Sequence, residues 1–460
     1  MPFECYNERT ARLAWGDGTP VRSAASIAAV AGLMRGGVPH FFMAARGGGQ
    51  DKIEVMSILI VNAGSSSVKF SLFEFDARVE SASGSIDWTD PSRRPRLVVR
   101  AGENVVTSVD CDASNHRAGV VAALRSLADV DHVLGGESAR IEAVGHRVVH
   151  GGEVFHASVL IDERVRAAIA RLAELAPLHN LAALEAIDAA RESLPAAKHV
   201  AAFDTAYYSN LPETSKTYPL PLSWRDDWGI RRYGFHGLSH DYSNGRAAEL
   251  LHNRDGLRVV SCHLGNGCSA TAARGGVAID TTMGYTPLEG LMMGTRAGSV
   301  DAGILIETMR TRGLTADDLD RILNRESGLL GVSGVASDVR AVEAAAIAGN
   351  ARARLALDLF AWRLRSAIGA LAVTLGGVDA LVFTGGIGEH AASLRAQACA
   401  GLECLGIKLD ARKNQDAVGA RDCDVADDDS KARVLVVAAR EDLVIAREAR
   451  LILDANHANL

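Results

Sequence analysis

The clearest pattern along the chain is an apolar run that leads into a small polar turn and then into alternating apolar and polar residues. It covers residues 58–73, ILIVNAGSSSVKFSLF. This pattern predicts a strand, a tight turn and a second strand, that is, a β-hairpin. Backbone N–H groups and serine hydroxyls at its tip suit an anion, Lys69 suits a terminal phosphate, and Asn62 supplies an oxygen for Mg²⁺ or its water. Taken alone, the stretch is explained equally well by a Ser/Gly turn without a ligand.

The same pattern returns twice further along the chain. Residues 258–272, RVVSCHLGNGCSATA, again run from an apolar strand through a glycine turn into a return strand. Two such hairpins roughly 200 residues apart suggest a duplicated fold with one phosphate loop in each half. Residues 380–390, ALVFTGGIGEH, form a third apolar strand that leads into glycines before a predicted helix, as nucleotide-binding loops do.

Charged residues stand at the ends of two short apolar strands between these loops. Residues 141–152 carry Arg147 toward a pair of glycines, and residues 198–206 place Asp204 near the end of a strand. The carboxyl end of an apolar strand is where α/β proteins place catalytic groups. The alternatives are a surface ion pair for Arg147 and a helix cap for Asp204.

Two other segments allow more than one interpretation. His236 and His240 are four residues apart, which on a helix would place them on one face and would suit a metal pair. Gly237 weakens the helix prediction, so we expect separate roles for the two histidines. Residues 285–299, YTPLEGLMMGTRAGS, are rich in glycine and methionine and carry Arg296. We expect this segment to line a cleft at the surface and not to form core.

The last third of the chain predicts a further turn, a long helix and a final strand followed by an acidic residue. Residues 328–340 predict another glycine-rich turn, and residues 350–375 predict a long helix with one apolar face. After the last apolar strand, residues 434–437, Glu441 stands at the start of a helix. A metal role and the general preference of acids for helix N-termini explain Glu441 equally well.

Composition places the chain among ordinary globular proteins. Its 460 residues suffice for two or three domains, 48% of them are apolar, 23% are charged, and the net charge is −7. The mixed charges predict no binding to nucleic acid or to an anionic membrane, and no apolar run reaches the roughly 18 residues of a membrane span. Seven cysteines without a CxxC pair predict free thiols and a cytoplasmic protein.

The first 55 residues differ from the rest. Residues 23–34 are mildly apolar, but the charges before them are mixed and no clean cleavage site follows. Residues 47–50, GGGQ, have the composition of a linker, and Met56 begins a segment typical of a first strand. We expect residues 1–55 to be a disordered extension or a start-site artefact without a part in catalysis. A transit or secretion peptide is the alternative.

Together these residues suit phosphoryl transfer, which needs positioning and charge neutralisation more than covalent chemistry. Three glycine loops would hold a nucleotide, and Asn62 and Glu441 would hold Mg²⁺. Arginine forks and a histidine donor suit the charge that spreads over a transferring phosphoryl group. The candidates for this role are Arg147, Arg296 and His236. Small apolar residues flank the motifs, which predicts a small acceptor: Val149, Leu178 and Pro287.

Nine motifs occur in one order over residues 56–455: NAGSSSVKF, GHRVVHGGE, AFDTAYY, RYGFHGLSH, CHLGNGCS, TPLEGLMMGTRAG, SGLLGVSGVASDVR, GGIGEH and EDLVIARE. In these motifs the chain resembles the acetokinase family of the actin-like ATPase superfamily. The resemblance implies reversible transfer of the γ-phosphate of ATP to acetate, with Mg²⁺ or Mn²⁺, giving acetyl phosphate and ADP. It also implies an α/β fold of two duplicated actin-like (ribonuclease H-like, βββαβαβα) domains with an interdomain cleft, and a homodimer.

The resemblance further implies domain bounds and residue roles. The N-terminal domain would cover residues 56–208, the nucleotide-binding domain residues 209–441, and a C-terminal helix, residues 442–460, would return to the first domain. The catalytic residues would be Arg147, Asp204, His236 and Arg296. The substrate would contact Arg147, Val149, Leu178, Phe235 and Pro287, and the metal Asn62 and Glu441. ATP would contact Lys69, His263, Leu264, Gly265, Asn266, Gly267, Asp338, Val339, Arg340, Gly386, Ile387, Gly388, Glu389 and His390.

One implied role and two alternatives need comment. Asp204 is the family's acid/base position, but acetate is already a carboxylate at pH 7, so we expect Asp204 to orient Arg147 or a metal-bound water. The closest alternative is a propionate or other short-chain acyl kinase, because a pocket for acetate rejects one extra methylene by only about 1–3 kcal/mol. The remote alternative is a non-catalytic actin-like ATP switch, which has no need for two arginines and a histidine on the substrate side.

Overall fold

A computed structural model describes residues 56–64, 67–88, 94–102, 104–133, 140–173, 176–419 and 422–457. The expected N-terminal extension, residues 1–55, and the side chain of Leu178 lie outside the described residues. None of the helices in the described ranges is long and apolar enough to cross a membrane.

The first of two sheets has eight strands in the order β5-β4-β3-β2-β1-β6-β8-β7. The predicted opening hairpin is confirmed, because β1 and β2 pair antiparallel with Asn62 opposite Lys69. Strands β1, β6 and β8 run parallel to one another. The strands are β1 Met56–Ala63, β2 Ser67–Glu74, β3 Glu80–Asp87, β4 Arg96–Ala101, β5 Asn104–Asp110, β6 Arg140–Val148, β7 Val159–Leu160 and β8 Lys198–Phe203.

The second sheet has six strands in the order β11-β10-β9-β12-β14-β13. Its first five strands repeat the pattern of β3-β2-β1-β6-β8, with three antiparallel strands followed by two parallel neighbours. The prediction of an α/β fold in which the hairpin is duplicated is therefore confirmed. The strands are β9 Arg258–Leu264, β10 Cys268–Arg274, β11 Val277–Thr281, β12 Ala380–Thr384, β13 Cys423–Asp424 and β14 Arg433–Val436.

Helices connect and cover the strands. They are α1 His116–Val133, α2 Glu163–Leu172, α3 Pro177–Ser193, α4 Glu213–Lys216, α5 Leu222–Trp228, α6 Gly237–Leu250, α7 Ala302–Arg312, α8 Ala316–Arg325, α9 Gly328–Ser333, α10 Val339–Ile347, α11 Ala351–Thr374, α12 Gly385–His390, α13 Ala392–Cys399, α14 Ala411–Asp416 and α15 Glu441–His457, with 3₁₀ turns at Asp204–Tyr208 and Glu403–Leu405. The glycine-rich stretches at 328–340 and 385–390 thus contain short helices where open turns were predicted.

The expectation that residues 285–299 lie entirely at the surface was wrong. Leu291, Met292 and Met293 are 3%, 4% and 0% exposed and belong to the main apolar cluster, together with Val260 and Phe383. Methionine is unbranched and flexible, so it fills irregular gaps of the kind that a chain without regular secondary structure leaves in a core. Only the residues on either side of this methionine pair remain available to a cleft.

Helix α15 packs against the first sheet although β14, the strand before it, belongs to the second. Val444 and Ile445 lie in one apolar cluster with Ile58 and Ile60 of β1. A Cβ atom at Gly145 of β6 would lie 2.6 Å from the Ile445 side chain, so only glycine permits this approach. The predicted domain bounds at residues 208 and 441 stay a prediction.

Candidate active site

Three parallel strands of the first sheet end at the same edge and bring their polar residues together. Asn62 lies near the end of β1, Arg147 near the end of β6, and Asp204 directly after β8. Arg147 contacts both neighbours. Its Nε and Nη2 atoms donate to the two carboxylate oxygens of Asp204 at 3.0 and 2.7 Å, and its Nη1 atom lies 3.4 Å from Oδ1 of Asn62. The carboxyl ends of these strands therefore form one polar cluster, as expected for an α/β site.

The Arg147–Asp204 pair is deeply buried, with side chains 16% and 1% exposed. Burial would lower the pKa of Arg147, but the carboxylates of Asp204 and Glu441 more than offset it and raise the pKa. Burial raises the pKa of Asp204, and the Arg147 fork opposes that rise. Because both Asp204 oxygens accept from one guanidinium, we infer that Asp204 holds Arg147 in place and has no proton to give. This geometry supports the expectation that Asp204 orients Arg147.

Glu441, the first residue of α15, joins the cluster from the other end of the chain. Its Oε2 atom accepts from Nδ2 of Asn62 at 3.2 Å and lies 3.3 Å from Nη1 of Arg147. Burial opposes ionisation of Glu441, but Arg147, His263 and Lys69 bring its pKa below the ordinary value. A buried ionised carboxylate beside an amide oxygen fits Mg²⁺, which takes one or two protein oxygens and completes its shell with water and substrate phosphates.

His236 stands immediately before helix α6 in a left-handed backbone conformation, with φ of 56°. A Cβ at Gly237 would lie 1.9 Å from the Asp204 carbonyl oxygen, so the glycine allows α6 to begin against the end of β8. Gly237 therefore starts the helix, contrary to the expectation that it weakens one. His236 lies outside the helix and His240 within it, which agrees with separate roles for the two histidines.

Arg296 and His236 meet at the turn between β9 and β10. A Cβ at Gly267 would lie 3.2 Å from Nε2 of His236 and 3.6 Å from Nη1 of Arg296. Among the described residues, Arg296 has one hydrogen-bond partner, the carbonyl oxygen of Pro287 at 3.2 Å. Both Arg296 and Arg147 lower the pKa of His179, after the larger effect of burial, to about 4. Two arginines and a histidine thus converge on one polar space, and Arg296 has no carboxylate partner there in the described ranges.

The histidines around this space are held neutral. Burial, followed by the neighbouring charges and rings, lowers the pKa values of His236 and His240 well below the usual 6.5 and that of His263 to about 4. The His236 and His263 rings stack at 4.3 Å. At pH 7 a neutral histidine acts as a single hydrogen-bond donor, so positive charge in the site comes from the arginines.

Buried neutral histidines also make stability depend on pH. In the unfolded chain they bind protons below about pH 6.5, whereas in the folded chain burial, and then His199 and Arg191, hold the pKa of His146 well below that value. We expect the free energy of unfolding to fall by up to about 1.4 kcal/mol per pH unit for each such group as pH drops below 6.5. Urea unfolding at pH 7 and pH 5 measures this slope.

Two variants check the origin of that slope. His146→Gln should make the slope shallower by the share of one group, because one of several buried titrating groups is removed, whereas His156→Gln, at an exposed position, should leave it unchanged. Equal stability at the two pH values would contradict the prediction.

A cavity of about 630 Å³ lies beside this cluster. Eight of the residues expected to bind ATP line it: Gly265, Asn266, Asp338, Val339, Arg340, Gly386, Ile387 and His390. Asp338 caps helix α10 and also pairs with Arg340 at 2.6 Å. Val418 adds an apolar wall that sequence reasoning did not include. Residues of the second hairpin turn, of the segment 328–340 and of the loop after β12 therefore meet at this cavity, whereas no described residue of the opening hairpin lines it.

The other expected ligands of ATP are not among the residues that line this cavity. His263 is bonded through Nδ1 to Ser239, Leu264 is 1% exposed, and Gly267 faces His236. Gly388 is buried, and an oxygen of Glu389 accepts from the N–H of Ala439 at 3.0 Å. Lys69 is exposed on β2. Their predicted contacts with ATP stay predictions.

The expected apolar pocket is partly visible. Val149 and Phe235 are 8% and 1% exposed and lie in one apolar cluster with Tyr233. His150 packs its ring against Phe235 with centroids 5.5 Å apart. The carbonyl oxygen of Pro287 accepts a hydrogen bond from Arg296, so Pro287 lies beside that arginine. These residues would form a narrow apolar end beside the arginines.

Sequence reasoning missed the residues that hold the site together. Ser269 and Ser261 bond to the histidines, and the fully buried Arg395 donates to the carbonyl oxygens of Gly388 and Glu389 at 2.8 and 2.9 Å. The available signal was the presence of polar residues inside apolar strands and helices, where a buried polar group needs a partner.

Comparisons with known proteins give a consistent result. The model of the acetokinase family matches residues 57–447. A curated acetate kinase from a Cyanothece species is 46% identical over 409 residues, 87% of this chain and 99% of that protein. One from a Synechococcus species is 49% identical over 404 residues, 86% of this chain and 99% of that protein.

Solved structures agree with these relatives. The acetate kinase of Porphyromonas gingivalis superposes with a TM-score of 0.78 at 39% identity, over 86% of this chain and all of that one. A propionate kinase from Francisella tularensis gives the same TM-score and coverage at 35% identity. The family model covers most of the chain and the relatives match over nearly their whole length. The chain belongs to the acetokinase family.

Proposed function

We propose that this protein is an acetate kinase, which transfers the γ-phosphate of ATP to acetate and also runs the reverse reaction. The observation that carries the proposal is the convergence of Arg147, Arg296 and neutral His236 beside the glycine-lined cavity. The relatives named acetate kinase and the family to which the chain belongs support the same activity.

The reaction joins a carboxylate oxygen of acetate to the γ-phosphorus and breaks the bond from that phosphorus to the bridging oxygen of ADP. Acetate enters as a carboxylate, so no proton has to be removed from it. Arg147, aimed by the bonds of its Nε and Nη2 atoms to Asp204, would hold the carboxylate and the incoming phosphoryl group through its remaining N–H groups. Arg296 and the N–H of His236 would meet the charge on the equatorial phosphoryl oxygens. Val149, Phe235, Leu178 and Pro287 would enclose the methyl group.

Asn62 and Glu441 would hold Mg²⁺, or Mn²⁺ in its place, with the nucleotide phosphates. The metal would neutralise phosphate charge and orient the γ-phosphate. We expect Glu441→Gln to raise the Mg²⁺ concentration for half-maximal rate by about 10- to 100-fold. Glu163→Gln is the matched control, since Glu163 is also the first residue of a helix but lies at the surface. An unchanged Mg²⁺ requirement in Glu441→Gln would contradict this role.

The decisive experiment is a coupled assay of acyl phosphate formation with acetate, propionate and butyrate. The propionate kinase among the structural relatives makes propionate the specific second candidate. A preference for acetate in kcat/KM supports the proposal, whereas a tenfold preference for propionate would replace it. The same assay on the full chain and on a chain that starts at Met56 tests whether residues 1–55 are needed; we expect equal activity.

We also propose a homodimer in the cytosol, without nucleic acid or membrane partners. Helix α7 has no buried residue although it carries Ile304, Ile306 and Met309, which are 54%, 51% and 44% exposed. A second copy of the chain would cover exposed apolar side chains of this helix. The six described cysteines are free thiols, which suits a reducing compartment.

Ile306→Glu is expected to convert the dimer to a monomer, because the charge would have to be buried in the interface. Size-exclusion chromatography with light scattering measures the molar mass. Ile347→Glu, at an isoleucine that is 86% exposed on another helix, should leave the dimer intact. If Ile306→Glu had the same molar mass as the unaltered protein, α7 would not be the interface.

A further inference from the structure

A chain of buried hydrogen bonds leads from the core to His236. Ser261 Oγ lies 2.8 Å from Nδ1 of His240, and Nε2 of His240 lies 2.8 Å from Oγ of Ser269. Ser269 Oγ then lies 2.9 Å from Nδ1 of His236. Ser261, His240 and Ser269 are all 0% exposed, so water does not compete for these groups.

There are two directions in which each member of the chain donates to the next, because a neutral imidazole and a hydroxyl each have one hydrogen to donate. In the first, the Ser261 hydroxyl donates to His240, Nε2–H of His240 donates to Ser269, and Ser269 donates to Nδ1 of His236. The proton of His236 is then on Nε2. In the second direction every donor is reversed, and the proton of His236 is on Nδ1.

The two directions differ at Ser261. In the second direction its hydroxyl accepts from His240, and its own hydrogen needs another acceptor. Among the described residues, His240 is the only hydrogen-bond partner of the Ser261 hydroxyl. A buried donor without an acceptor is costly, so the first direction is favoured by roughly 5- to 150-fold. Both rings are neutral at pH 7, because burial, followed by the nearby His263, lowers the pKa of both His236 and His240.

We propose that Ser261, His240 and Ser269 are positioning residues that keep the proton of His236 on Nε2. This atom lies beside Gly267 and Arg296, whereas Nδ1 is bound to Ser269. The inference rests on the proposed function, in which His236 must present a donor to a phosphoryl oxygen without carrying a charge. The reverse tautomer would present a lone pair to the phosphoryl group and would repel it.

The tautomer is measured by nitrogen NMR on the full chain with ¹⁵N-labelled histidine, because protonated and bare ring nitrogens have distinct chemical shifts. The His236 signals are identified by their loss in His236→Gln. The expected result is a proton on Nε2 of both His236 and His240 at pH 7. A proton on Nδ1 of His236, or a charged ring, would overturn the proposal. The NMR measurement needs no substrate, so its result is independent of the kinase assay. Failure to phosphorylate any of the acids would overturn the proposed function but not the assignment of the tautomer.

Kinetics supply the second arm. Ser269→Ala should produce both His236 tautomers and lower kcat about tenfold, with KM for acetate and ATP within about twofold of the unaltered enzyme. Ser243→Ala is the matched control: Ser243 lies on α6, is 0% exposed, and its hydroxyl has no partner among the described residues. Ser243→Ala should change neither the His236 tautomer nor kcat. An unchanged tautomer and kcat in Ser269→Ala would overturn the proposal.

Ser261→Ala, which is farther from His236, keeps the proposal testable if Ser269→Ala does not fold. It removes the group that sets the direction of the chain, so both His236 tautomers should appear and kcat should fall about twofold. A single Nε2–H tautomer in Ser261→Ala would show that Ser261 does not set the direction.

Discussion

Arg147→Ala is expected to lower kcat/KM for acetyl phosphate formation by about a thousandfold, since it removes preorganised N–H donors for the carboxylate and the phosphoryl group. It should also lower the free energy of unfolding by about 3–5 kcal/mol. The reason is that Asp204, 1% exposed, would be left as a buried charge without its partner. Steady-state kinetics and urea unfolding measure the two effects.

Arg166→Ala is the matched control for this variant. Arg166 binds Asp188 through the same fork, at 2.7 and 2.6 Å, but the side chains are 38% and 22% exposed and lie away from the site. Its loss should leave kcat/KM unchanged and reduce the free energy of unfolding by no more than about 1 kcal/mol. The double variant Arg147→Ala/Asp204→Asn should regain stability but not activity. Activity that returned with stability would mean that Arg147 acts only on the fold.

Arg296→Ala is expected to lower kcat by about 100- to 1,000-fold while leaving the enzyme as stable as before, or more stable. Burial lowers the pKa of Arg296, and its one hydrogen-bond partner among the described residues is the Pro287 carbonyl. A largely buried cation without a carboxylate partner costs folding free energy and is ready to meet an anion. Loss of activity with gain of stability is the mark of such a residue.

The control for Arg296 is Arg352→Ala. Arg352 also donates only to carbonyl oxygens among its described partners, those of Val332 and Gly331 at 3.1 and 3.2 Å, but it is exposed and outside the site. We expect its kcat to be unchanged. If Arg296→Ala lost stability and kept kcat, its role would be structural and the proposed charge stabilisation would fail.

The parts of the fold that follow from local pattern were predictable from the sequence. The hairpin at residues 58–73 and its repeat at residues 258–272 combine an apolar period with turn residues, and each forms the predicted pair of strands. The positions of Arg147 and Asp204 at strand ends follow from the same reasoning. The contact between Arg147 and Asp204 could not be predicted in this way, because it depends on the parallel pairing of β6 and β8.

The rest depends on tertiary contacts that no local pattern encodes. The sequence pattern suggested that Gly237 breaks a helix, yet Gly237 is the first residue of α6. Any larger residue at this position would clash with the Asp204 carbonyl oxygen. Met292 and Met293 looked exposed because glycines surround them, yet the main core encloses them. The Ser261–His240–Ser269 chain joins a helix to two strands, and the sequence distance between its members hides the connection.

Helix α15 has a consequence for how the protein is made. Its Val444 and Ile445 cover Ile58 and Ile60 of β1, and Glu441 bonds to Asn62 across 379 positions. At ordinary translation rates the ribosome completes α15 roughly 20–75 s after β1. Throughout that interval the apolar cluster on one side of β1 lacks its α15 members, and Leu238 of α6 is the part of that cover made earlier. A nascent chain of this length is open to chaperones and to aggregation. The contacts of α15 with the first sheet can form only after α15 has been made.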